Sequence, residues 1–262
     1  MKNIKKAMSE GEVIMGVCCD ISDPSVVEIL GSTGWDYVII NCEGGTVSPF
    51  GAELENMIRA AYLVDVTPVV KVPENNPAMI ASAIKLGAKI VEVPKINSKE
   101  DAMAALKAAK YPPLGSRMTC WGIPATNYGA MPWTEHVPKA NEEITIFAVL
   151  EEQEAMENME NILSVEGLEI VLIGWLDLAL RLGGVGDPKV EAQVRGYLQK
   201  LLDLCKERGI SVIQGASDAA SAKEAISMGA QGILFGLDDM TMLRNASLKQ
   251  VTELRRATKE SS

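Results

Sequence analysis

ITIFAVLEEQEAMENMENILSVEGLEIVLIGWLD, residues 144–177, is the stretch that decides the fold. Two apolar runs, TIFAVLE (145–151) and EIVLIGW (169–175), flank an acidic amphipathic segment of helical period. Neither run alternates polar with apolar residues. Both therefore read as strands covered on two faces, and strand–helix–strand order is that of a parallel sheet. Each run also delivers an acid: Glu151 closes the first, and Asp177 stands just past the second. Side chains at the carboxyl ends of neighbouring parallel strands converge on one small volume. Two carboxylates brought there offer oxygen ligands only, which suits a hard divalent cation such as Mg²⁺ or Mn²⁺. The competing reading of Glu151 is a solvated charge opening the helix EEQEAMEN, stabilised by the helix N-terminus. Asp177 interrupts VLIGWLDLALRLG, where a carboxylate costs several kcal/mol unless paired or metal-bound.

Outward from this unit the same rhythm repeats. Further strand-like runs are VIMGVCC (13–19), DYVIINCE (36–43), TPVVKVP (67–73), KIVEVPKI (89–96), SVIQGAS (211–217) and GILFGLD (232–238). Amphipathic segments lie between most of them. Several close on a glycine (Gly34, Gly87, Gly209, Gly229), the residue that most readily ends a helix in the left-handed conformation. Eight such strands in 262 residues predict a closed (β/α)₈ TIM barrel, one domain over 1–262 with no dividing linker. Residues 111–143, YPPLGSRMTCWGIPATNYGAMPWTEHVPKANEE, break the rhythm; so long an insert reads as a lid or a subunit contact.

Composition narrows the partners. A net charge of −10 argues against nucleic acid and anionic membranes, because phosphate binding needs clustered Lys and Arg. No apolar run approaches the length of a membrane span, and the first residues lack the apolar core of a signal peptide. Five cysteines, an odd number without CxxC spacing, fit a reduced, cytoplasmic protein. His136 is the sole histidine, which removes His-rich zinc chemistry; its polar surroundings make it a surface residue.

In a barrel the chemistry sits at the carboxyl ends of the strands. Polar residues gathered there are Glu43, Lys71, Lys95, Glu151, Asp177, Gln214 and Asp238. Lys71 and Lys95 stand at equivalent ends of adjacent strands. Each reads as the partner of a barrel carboxylate, as an ammonium holding a substrate oxygen, or as a desolvated Schiff-base amine. Gly174, ahead of Trp175, Leu176 and Asp177, marks a strand-to-helix turn whose backbone N–H groups suit a carboxylate. Gly44 and Gly45 read equally as a close approach to ligand or as a turn. Cys42 reads as a small core residue.

Three ordered stretches carry a resemblance: EILGSTGWDYVIINCEGG, VVKVPENNPAMIASAIKLGAKIVEVPKINSKEDAMAALKAAKYPPLGSR and AVLEEQEAMENMENILSVEGLEIVLIGWLDLALRLG. Together they resemble the HpcH/HpaI aldolase family, class II pyruvate aldolases related to macrophomate synthase and, more distantly, to the citrate lyase β chain. The likeness runs from about Gly16 to Asp239 and is most specific in KYPPLGSR and from Glu151 to Leu178. It implies a barrel of the phosphoenolpyruvate/pyruvate type, with Glu151 and Asp177 as ligands to Mg²⁺, Mn²⁺ or Co²⁺. By the same resemblance Glu43 is the glutamate of the family's D-x-E-H segment. Lys71 stands where the family has an arginine that stabilises the enolate oxygen. Backbone amides near Asp177 (at Gly174, Trp175 and Leu176) would hold the carboxylate of pyruvate or another 2-oxo acid. The resemblance also implies a homo-oligomer, a dimer or a hexamer of dimers, exchanging the C-terminal helix, here 245–262.

The match breaks at the acid–base residues. Asn41 stands for the Asp and Gly44 for the His of D-x-E-H, so the dyad that moves protons at the aldol hydroxyl is missing. Lys71 keeps the charge but not the planar fork of arginine. Val149 replaces a glutamine, and Trp175 a smaller residue. Retro-aldol cleavage needs a base for the hydroxyl proton, whereas loss of CO₂ from an oxaloacetate-like acid yields the enolate directly. The sequence thus predicts a divalent-metal-dependent carbon–carbon lyase, aldolase or decarboxylase, acting on a 2-oxo acid. Lys71 would stabilise the enolate, and Glu43 would act as base or place a water. The alternatives are a Schiff-base aldolase using Lys95 or Lys71, and a non-catalytic barrel.

Overall fold

In a computed structural model, residues 1–260 are described, with side chains to Thr258. Eight parallel strands close a barrel in chain order. They are β1 (Ile14–Cys19), β2 (Tyr37–Asn41), β3 (Thr67–Lys71), β4 (Ile90–Val93), β5 (Thr145–Leu150), β6 (Ile170–Ile173), β7 (Ser211–Ala216) and β8 (Gly232–Phe235). β8 closes on β1 through Ile14↔Gly232 and Val17↔Phe235.

The unbroken apolar runs follow from burial on both faces. Ile39, Val69, Phe147, Val149, Ile170 and Ile213 fill the barrel interior. Their neighbours Val38, Val70, Ile146, Val171 and Val212 pack under the helices. This alternation turns Gln214 outward with Val212 and Ala216, so the structure removes it from the mouth, where the sequence had placed it. The ladders stop sooner than the apolar runs. β2 ends at Asn41 and β4 at Val93, and residues such as Glu43 and Lys95 leave the sheet and bend over its end.

The helices start where capping chemistry allows. Asp23, Asn76, Ser98, Asp187 and Asp218 each accept a hydrogen bond from a first-turn N–H. Gly34, Gly87, Gly209 and Gly229 all have positive φ, as their positions after helices predicted.

Residues 111–143 form a short 3₁₀ segment, Pro124–Gly129, and a helix, Trp133–Glu143. With Ile58, Tyr62 and Lys89 they line a cleft of about 610 Å³ on the barrel's flank. His136 is not a surface residue. It is 6% exposed and stands edge-on to Tyr111 and Trp133, where burial lowers its pKa. The periodicity of WTEHVPKANEE hides this, because Tyr111 comes from outside the helix and only Trp133 from within it.

The last helix runs Asp239–Glu260; residues 261 and 262 of the expected 245–262 helix lie outside the described residues. From Leu243 to Thr258 it is exposed. Among the described residues no helix is long and apolar enough to cross a membrane, and all five cysteines are free thiols.

Candidate active site

β5 ends at Leu150 and hands Glu151 to the mouth, where it is 5% exposed. The solvated-charge reading fails. Oε1 of Glu151 accepts the backbone N–H of Lys95 at 3.0 Å. Lys95 takes φ 54 there, while its side chain is exposed. Lys95 thus contributes its backbone to the site. Burial pushes the Glu151 carboxyl up, Lys71 opposes the shift, and Glu43 and Asp177 add to it. The two acids at 151 and 177 therefore feel each other's charge. Neither has a lysine or arginine within ion-pair distance among the described residues.

β6 ends at Ile173, and the chain turns at Gly174 into the helix Trp175–Arg181. A Cβ on Gly174 would sit 2.7 Å from Cβ of Glu151 and 2.9 Å from its Oε2. Only glycine leaves room for that carboxylate. The N–H of Gly174 is committed to the Leu150 carbonyl at 2.9 Å, so its expected role as an amide donor is corrected: it supplies space. The N–H groups of Trp175, Leu176 and Asp177, in the first helical turn, are the ones left without an intrahelical acceptor. Asp177 itself is exposed, so the burial penalty expected from its apolar surroundings does not arise. The helix turns it out of the run that contains it.

Lys71 closes β3. Its Nζ lies 2.7 Å from Oε2 of Glu43 and 3.7 Å from Oε1 of Glu92. The residue level with Lys71 on β4 is Glu92, not Lys95 as the sequence suggested. Glu92 is 2% exposed, and its Oε2 has no hydrogen-bond partner. Burial pushes its carboxyl up to about 7, against the pull of Lys71, with Glu43 and Glu151 adding to the rise. Sequence reasoning passed over Glu92, although an acid inside IVEV carries the same signal that was credited to Asp177. For Lys71, burial works against the charge, but Glu92 and Glu43 outweigh it and raise the pKa. A Schiff-base amine needs the opposite environment.

Asn41 explains the glycines that follow it. Its Oδ1 accepts the N–H of Glu43 at 3.0 Å and of Gly44 at 3.1 Å, and its Nδ2 donates to Asp20 at 2.8 Å. NCEGG is a turn that aims Glu43. Cys42 is buried in the core, as expected.

Ligand atoms of Asp20, Asp238 and Asp239 also lie within 4.8 Å of one another. Asp239 is engaged elsewhere, since its oxygens accept the N–H groups of Asp20, Ile21 and Met240. Asp238 accepts the N–H of Thr241 and caps the last helix. These bonds fasten the ends of β1 and β8, whereas Glu151 and Asp177 keep open oxygens. Trp175 is 48% exposed and covers the end of β7, its Nε1 only 3.3 Å from where Gly215 would carry a Cβ.

This barrel has solved counterparts. An HpcH/HpaI aldolase from Desulfitobacterium hafniense superposes with a TM-score of 0.88 at 29% identity, over 96% of each chain. A hydroxypyruvate/pyruvate aldolase of Sagittula stellata is 31% identical over 252 residues, 95% of this chain and 96% of its own. A 2-keto-3-deoxy-L-rhamnonate aldolase of Salmonella gallinarum is 28% identical over 244 residues, 90% of this chain and 87% of its own. Residues 15–245 match the HpcH/HpaI aldolase/citrate lyase family. The chain belongs to that family. The HpcH/HpaI match spans slightly more than the Gly16–Asp239 stretch read from sequence, and it includes every residue assembled at the mouth. As a family member the protein is a carbon–carbon lyase of the class that acts on 2-oxo acids. Its acid–base residues are its own: Asn41 builds a turn where a proton-transfer residue was expected, and Lys71 sits between two glutamates.

Proposed function

We propose that Glu151 and Asp177 hold a divalent cation, Mg²⁺ or alternatively Mn²⁺ or Co²⁺, and that the barrel cleaves or decarboxylates a small 2-oxo acid there. One observation carries this reading. Glu151 is buried against Gly174, bonded among the described residues by the Lys95 N–H alone, and pressed by the charge of Asp177. A buried carboxylate with spare oxygens beside a second acid fits a hard cation. When bound, the ion supplies Lewis acidity toward the oxo acid.

The chain's own groups do the rest. The N–H groups of Trp175 and Leu176 hold the substrate carboxylate in the space kept by Gly174. Lys71, kept charged by Glu43 and Glu92, stabilises the oxygen on which negative charge develops. Glu43, aimed by Asn41, takes a proton or places the water that does. Decarboxylation of an oxaloacetate-like acid suits this set best, because it asks for no base at a hydroxyl. Metal-stripped protein assayed on oxaloacetate and on 4-hydroxy-2-oxo acids tests the reading: activity should vanish with EDTA and return with Mg²⁺ or Mn²⁺. Activity indifferent to EDTA refutes it.

The partner we propose besides the substrate is a second copy of the chain. Leu243, Leu248 and Leu254 are 64%, 52% and 67% exposed on the last helix, and Met15 on β1 is 49% exposed. Exchange of this helix within a dimer or hexamer would cover both. The free thiols support a reducing, cytoplasmic setting.

A further inference from the structure

Resting on that lyase reading, we propose that Glu43, Lys71 and Glu92 form a proton relay that stands in for the missing Asp-His dyad, with buried Glu92 as its terminal acceptor. Three side chains from three neighbouring segments line up from the mouth inward: Glu43 after β2, Lys71 at the end of β3, and Glu92 within β4. Contacts of 2.7 Å and 3.7 Å join them through one ammonium. The ammonium is in direct contact with Glu43 and within ion-pair distance of Glu92, with donors to spare for both.

Glu92 is more than a counter-ion. A structural ion pair in a dry interior persists when the remaining lone pairs are also bonded. Here Oε2 is buried and has no partner, so this carboxylate is left poorly solvated in its charged form. Gaining a proton relieves that cost, and the push of its carboxyl to about 7 expresses the same balance. The groups that face Glu92 leave it as the natural end of the line. Cys18 and Tyr37 are held as neutral acids by burial and by the charge of Glu92 itself. Glu151 acts through charge from the neighbouring strand end, and Glu43 lies on the far side of Lys71. Below, Ile39, Val69, Ile90 and Phe147 offer no acceptor.

The step balances without a co-reactant. Glu43 removes a proton from the substrate, and the bonding pair stays on the substrate. Glu43 then returns that proton to Nζ of Lys71 as Nζ passes one to Glu92. Lys71 ends as the ammonium it was, Glu43 is again a carboxylate, and Glu92 is a neutral acid. Glu92 touches no reacting atom. It is a positioning residue that acts through Lys71.

Two measurements on Mn²⁺-loaded protein test this. Infrared difference spectroscopy should show a carboxyl C=O stretch that titrates near neutral pH and is absent from Glu92→Gln. In Lys71→Met the same band should titrate at higher pH. Exchange of the methyl protons of pyruvate for deuterium, followed by NMR, should fall at least about tenfold in kcat in Glu92→Gln with KM little changed, the scale of a lost proton-transfer contribution. Its pH profile should lose the neutral limb, and Glu92→Asp should restore part of both. Exchange in the wild type that Glu92→Gln leaves unaltered in rate and profile overturns the relay alone. So does a Glu92 band that titrates in the ordinary glutamate range. A wild type that exchanges nothing refutes the lyase reading and the relay with it. Should Glu92→Gln fail to fold, the Asp and Lys71→Met variants decide by the same readouts.

Discussion

Gly174→Ala is the most direct probe of the carboxylate pair. Gly174 has φ −72 and ψ 75, outside the left-handed region, so an alanine there meets no barrier from positive φ. The cost falls on Glu151. The new methyl would stand 2.7 Å from its Cβ, about 0.7 Å inside the 3.4 Å at which ordinary contact begins. Overpacking of this kind costs roughly 1–3 kcal/mol and is relieved by moving neighbours. Glu151 and the end of β6 are the neighbours that can move. Metal sites tolerate about 0.2 Å of ligand displacement, so a shift of several tenths should break the pairing with Asp177. We expect Mn²⁺ affinity to drop about 10- to 100-fold, the scale of a disturbed supporting shell, with the fold retained. Isothermal titration with Mn²⁺ reads the affinity, and circular dichroism confirms the fold. A folded Gly174→Ala protein that binds Mn²⁺ as tightly as the wild type would show that Glu151 is not a ligand.

Two further outcomes concern stability. Glu92 sits at about 7 in the folded chain against 4.5 for an ordinary glutamate, so between those values the folded state binds the extra proton and stability falls as pH rises. Glu92→Gln should flatten that decline, by at most about 3 kcal/mol, in metal-free urea melts at pH 5 and 8; equal slopes in both proteins would mean that the carboxyl is not buried in its charged form. Gly196 lies exposed inside the helix Pro188–Arg208 with no atom near its missing Cβ. Gly196→Ala should stabilise by about 0.5–1 kcal/mol with activity unchanged, read as a rise in melting temperature; a fall would place another surface against that helix.

The barrel was legible because each strand repeats one rule, apolar on both faces, and each crossover another. Those rules are local, and so are the caps at Asp23, Asn76 and Asp218 and the glycine closures. Site residues were legible in part. Lys71 ends β3 and Glu151 directly follows β5, and chain position alone puts side chains at a strand's end at the mouth. Lys95 was misplaced because β4 stops at Val93 and the chain then turns through positive φ, which sends the side chain out and the N–H to Glu151. His136 was misread because Tyr111 packs on it from beyond its own helix, beside Trp133 one turn earlier.

From the order of residues alone came the strand and helix periods, the closed count of eight, and the two acids that follow neighbouring strands. Which lysine faces the mouth, that Glu92 lies beneath it, and that Gly174 is space and not a donor were decided by register and closure. Period is a property of neighbours along the chain, whereas the company a side chain keeps depends on strands brought together by folding.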